Sequence, residues 1–131
     1  MPLQLRSTEC FGAQEATLIH HSTDNPSEFE PFPLPDVSEG DPDAQVHWLR
    51  VQGSDGATLM AGVFTAQPSR FRYVFEIDET IHVLAGRVRI ELDSGEVVEL
   101  GQGDIASFPK GEHATWEILE PFREFFVLSG Q

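Results

Sequence analysis

A chain of 131 residues with 40% apolar and 23% charged side chains supports one domain around one core, which at that size hides roughly two-thirds of the surface its unfolded chain exposes. Its formal net charge of −14 repels phosphate backbones and anionic lipid, so neither nucleic acid nor a membrane surface is expected as a partner. No run reaches the ~20 apolar residues of a membrane span, and MPLQLRSTEC at the N-terminus lacks the apolar core of a signal peptide, which makes a cytoplasmic protein the expectation.

In chain order, Ala16, Leu18 and Ile19 could begin a strand. The single cysteine, Cys10, has no disulfide partner and no metal-ligand spacing to another Cys or His, and reads as an ordinary small side chain. From Asp24 to Asp43 come five prolines and seven acids without a Lys or Arg. Fixed φ angles and missing backbone donors predict an extended, irregular arm there. Phe29, Phe32, Leu34 and Val37 should pack that arm on a core, its own or a partner's. Residues 1–43 are therefore read as an N-terminal segment and arm, and residues 44–131 as the domain proper.

From Ala44 the apolar period becomes two. AQVHWLRVQ, the turn GSDG and ATLMAGVFT predict a hairpin. Phe71, Tyr73 and Phe75 share one face of the next strand. ETIHVLAG places Glu79 at a strand start and Gly86 at its end, where a turn is expected. RVRIEL puts Val88, Ile90 and Leu92 on one face and Arg87, Arg89 and Glu91 on the other. DSG, GQGD and PKG then separate the short strands VVEL, IASF and ATWEIL, and Pro121 is expected to divide the last from FREFFVL. About nine strands without a helical period predict an antiparallel sandwich or barrel.

Glu79, six residues later Gly86, then Gly103-Asp104 and Pro109–Gly111, resemble the two-part signature of the cupins. More narrowly, DETIHVLAGRVRIELDSGEVVELGQGDIASFPKGEHATWEILEPFREFFVL is similar to the subgroup of ureidoglycine aminohydrolase-like proteins and the ethanolamine-utilisation protein Q. The resemblance implies an all-β, single-domain cupin (jelly-roll) β-barrel with an extended N-terminal arm. It also implies a metal held by a histidine pair, a glutamate and a third histidine, donors suited to a transition ion. In this sequence the pair positions hold Tyr73 and Phe75, or Arg72 and Val74 if the loop is one residue longer, and the third holds Ala114, with His113 one residue out of register. The usual metal centre is thus incomplete, no metal ligands are assigned, and the cofactor is unknown.

As the resemblance's carboxylate, Glu79 is the candidate base or substrate anchor, since burial would raise its pKa toward the range useful for proton transfer; equally, it could only tie down its loop. His113 and Tyr73 are the other candidate catalytic residues. Phe64, Phe75, Trp116 and Arg72 are candidate ligand contacts, with the aromatic residues as barrel filling and Arg72, Arg70, Arg87 and Arg89 as a solvated face being the alternative readings. Alternation directs His82 away from Glu79. His20, His21 and His47 could supply relocated metal ligands.

The resulting expectation is a small-molecule-binding cupin of unspecified activity, whose substrate class, a polar nitrogen-containing metabolite, is implied by the resemblance alone. The alternatives are a non-catalytic metabolite-binding or accessory module and a metal-dependent enzyme with relocated ligands. Phe122, Phe125, Phe126 and Val127 exceed what one closed core needs, which predicts a homodimer, with the arm as a candidate to cross to the partner.

Overall fold

The computed structural model describes residues 18–23 and 29–130. Cys10, Ala16 and the first part of the arm lie outside the described residues. Leu18 and Ile19 are exposed and form no strand.

Nine strands make one curled, antiparallel sheet: β1 (Glu30–Pro31), β2 (Val37–Gly40), β3 (Gln45–Arg50), β4 (Thr58–Ala66), β5 (Ser69–Val74), β6 (Asp78–Leu92), β7 (Val97–Gly101), β8 (Ile105–Phe108) and β9 (His113–Gly130). Along one path they run β1-β3-β4-β9-β5-β2, while β6 pairs with β7, β8 and β9. No α-helix occurs among the described residues, and the architecture is the cupin jelly roll expected from the sequence.

Two long strands hold the sheet together, and both depart from the expected breaks. Gly86 lies inside β6 and Pro121 inside β9, so neither residue ends a strand. Gly86 has φ +83°, and a Cβ there would stand 2.1 Å from the Pro121 carbonyl oxygen. The β6–β9 register shifts between Val83 and Val88, which is a bulge that bends both strands at one corner. Its consequence is visible in burial. Glu79, Ile81 and Val83 point inward before the bulge and Val88 and Ile90 after it, so the inward parity changes from odd to even. Without the inserted residue one half of β6 would present its apolar face to solvent.

Proline-rich sequence does not keep the arm out of the sheet. β1 pairs with β3, β2 pairs with β5, and these are the two ends of the strand path, where missing N–H donors cost least. Phe32 and Leu34, between β1 and β2, pack against the core, whereas Val37 is exposed. The core itself is aromatic: Phe71 and Phe75 are fully buried, and Phe75 stacks on Phe108 with ring centroids 4.5 Å apart. Each such ring removed from water stabilises the fold by roughly 1.5–3 kcal/mol.

Candidate functional site

The concave side of the curled sheet and the arm enclose a pocket with a cavity volume of about 50 Å³. Phe64 on β4, Phe71 and Tyr73 on β5, and Trp116 and Phe126 on β9 line it, and Phe32 and Leu34 of the arm close one wall. The alternation of each strand turns these rings inward together. Amid this apolar wall stand two carboxyl groups, Glu79 at the start of β6 and Glu124 near the middle of β9.

Glu79 is 4% exposed. The Tyr73 hydroxyl donates to its Oε1 at 2.7 Å, across the short connection between the end of β5 and the start of β6. Burial raises the Glu79 carboxyl from its ordinary 4.5 to about 7, with the Tyr73 hydrogen bond opposing part of the rise. Burial, then the adjacent Glu79 charge, raises the Tyr73 phenol well above its ordinary range, so Tyr73 remains a donor at any physiological pH. Glu124 is 2% exposed, and its Oε1 has no hydrogen-bond partner among the described residues. Burial first, and then Glu79, push its pKa well up. The Trp116 Nε1 is likewise buried without a partner among the described residues. The pocket therefore offers a proton-accepting carboxyl, a fixed phenol donor, an unengaged carboxyl oxygen and an unengaged indole donor.

Of the residues expected at the site, Glu79, Tyr73, Phe64 and Trp116 are brought together around the pocket. Phe75 lies behind it, edge-to-face with Tyr73 at 4.9 Å. His113 and Arg72 are not brought to it. His113 begins β9 on the exposed parity, next to the fully buried Ala114, and no bulge turns it inward. Arg72 forks onto Asp93, both bonds 2.8 Å long, and reaches Thr115 Oγ1 at 3.0 Å; this hydrogen-bonded pairing lowers the Asp93 pKa. His82 is exposed, opposite in parity to Glu79. The His47 ring packs on the other face of the sheet, with Nε2 2.6 Å from His21 Nδ1 and its ring edge-on to Phe29.

Glu124 escaped the sequence reading because FREFFVL was weighed for its apolar content. The signal was there in the alternation: Phe122, Glu124 and Phe126 share one parity, and a glutamate between two inward phenylalanines breaks the apolar rule at a position that a core would fill with another apolar side chain.

The resemblance's metal does not fit these residues. Phe75 and Ala114 carry no ligating atom, and the Tyr73 hydroxyl is engaged by Glu79. Among the described residues no group of three or more His, Cys, Asp or Glu could hold a metal ion, and the relocated set of Glu79, His113 and an arm histidine is not assembled.

The model of the EutQ-like cupin domain matches residues 53–126, more than half of the chain. This chain belongs to the EutQ-like cupin family. The cupin resembles the Clostridium difficile EutQ protein (TM-score 0.58, 21% identity, 66% of this chain and 67% of the other). It also resembles a putative ethanolamine utilization protein q from Salmonella typhimurium (TM-score 0.57, 23% identity, 66% and 68% covered). A protein of unknown function from Pseudomonas syringae pv. tomato superposes over 79% of this chain and 45% of its own, with a TM-score of 0.69 and 20% identity. At these identities the likenesses describe the fold of the cupin and not its chemistry. No curated protein matches the chain.

Proposed function

We propose that this cupin binds a small polar metabolite in its barrel, with Glu79 as proton acceptor or anchor and Tyr73 orienting it. The observation that carries the reading is the buried Tyr73–Glu79 hydrogen bond on the wall of an aromatic pocket. A carboxyl that titrates at about 7 divides its population between acid and base at neutral pH, so it can take a proton from a ligand and return it. The Trp116 Nε1 offers a donor to an oxygen on the same molecule. That the metabolite contains nitrogen is part of the proposal and derives from the family resemblance. His113 and Arg72 have no role in this reading.

A second reading is a binding or accessory module without turnover. What favours it is the side-chain set Tyr73, Phe75 and Ala114 where the family's metal-binding histidines would stand, which leaves no Lewis acid to polarise a substrate. A thermal-shift screen against amino acids, ureides and sugars tests both. We expect one class to raise the Tm of the wild type and Glu79→Gln to lose most of that rise; chemical change of the bound compound selects the enzyme. An unchanged rise in Glu79→Gln would remove Glu79 from the site.

The homodimer is part of the same proposal. Phe125 and Val127 lie half-buried on the parity opposite to Phe126, which supports an apolar outer face on β9. Sedimentation equilibrium should give twice the chain mass of 14.6 kDa, and a concentration-independent monomer would refute the assembly.

A further inference from the structure

Two carboxyl groups face one pocket, and among the described residues no Lys, Arg or His lines it. Such an arrangement is expensive. An ionised carboxylate in an apolar site needs a counter-charge or several donors, and the only donor held on either carboxyl by the described side chains is the Tyr73 hydroxyl. Glu124 is 2% exposed, and its Oε1 has no hydrogen-bond partner among the described residues. Around the acids stand the faces and edges of Phe64, Phe71, Trp116 and Phe126, whose π-systems attract cations and reject anions. The molecule as a whole carries a formal charge of −14, which draws cations toward any opening in its surface.

Resting on the reading of the barrel as a binding pocket, we propose that its ligand is a small organic cation, an amine in its ammonium form, whose positive end lies between Glu79 and Glu124 and whose apolar part lies on the aromatic wall. The ammonium supplies the donors and the charge that the protein itself withholds. The titratable groups of the lining are Glu79 from β6, Tyr73 from β5 and Glu124 from β9, while β3, β4 and the arm contribute only apolar side chains. Below the Glu79 titration at about 7, entry of the cation therefore expels a proton from the carboxyl pair, so the charge inside the barrel is balanced before and after binding.

The test is isothermal titration calorimetry of the full chain at about pH 8 with ethyl-, butyl- and hexylammonium and with tetramethylammonium, beside butan-1-ol and butyrate. At least one cation should bind about tenfold or more tightly than butan-1-ol, and butyrate should not bind. Lowering the pH from about 8 to about 6 should weaken the cation, and at about pH 6 buffers of different ionisation enthalpy should report release of about one proton per ligand. Glu124→Gln should weaken the cation about tenfold or more and leave butan-1-ol unchanged; if that variant does not fold, proton release by the unmutated protein decides. Butan-1-ol binding as tightly as every ammonium ion, or cation binding without proton release at about pH 6, overturns the cationic class and leaves the pocket reading standing. Silence from all four cations also overturns the class, and only a matching silence across the amino acid, ureide and sugar screen removes the pocket reading with it.

Discussion

At the residue scale, Glu79 is governed by two opposed effects of different size. Desolvation disfavours its charge, the Tyr73 hydroxyl favours it, and the carboxyl comes to rest at about 7 because the first effect is larger. A raised carboxyl pKa has a definite sign in folding. Between 4.5 and about 7 the folded state holds a proton that the unfolded state has released, so stability falls as pH rises through that interval and is level below it. Glu124 acts in the same direction. Neither acid is retained for stability at neutral pH, since an apolar or amide side chain of similar size would serve the fold better. That cost supports the proposal that both residues serve binding.

At the scale of the element, the corner where β6 passes β9 is the most constrained place in the sheet. Gly86 combines a left-handed φ with a carbonyl oxygen where a side chain would begin, whereas Gly103, with φ +93°, has nothing within 4 Å of its missing Cβ. Gly103→Ala therefore meets only backbone strain, about 1 kcal/mol, and should lower the Tm by roughly 3–5 °C in a chain of this size. Gly86→Ala must also displace the Pro121 carbonyl, so calorimetry should show a loss of about 3 kcal/mol or more. Equal losses in the two variants would mean that the corner is softer than the packing implies. The same corner explains a difference between sequence and structure. Gly86 and Pro121 read as breaks because each disfavours a regular ladder, but a bulge accommodates the first and a bend the second, so four expected strands are two. The arm shows the converse: its prolines excluded a central strand correctly, and the edge pairing of β1 and β2 depends on partners distant in sequence, which no local pattern reports.

At the scale of the whole molecule, the glycine-bounded strands and the alternation from Ala44 onward specified the barrel, because inward and outward parity are local properties of each strand. The site was half readable on the same ground. Tyr73, Phe64 and Trp116 follow from parity and Glu79 from the family signature, while the rejection of His113 required the actual register of β9, and Glu124 became visible only once its neighbours were known to face a pocket. Among the described residues no helix is long and apolar enough to cross a membrane. What the molecule encloses is a pair of acids in an aromatic barrel, and the dependence of global stability on pH tests that most directly. Denaturant unfolding of the wild type and Glu79→Gln should be followed from about pH 4 to about pH 8. The rise of the Glu79 pKa from 4.5 to about 7 predicts that the wild type loses on the order of 3 kcal/mol relative to the variant over that range, at about 1.4 kcal/mol per pKa unit. A difference that stays level, or that grows in favour of the wild type as pH rises, would place Glu79 in water and contradict the account.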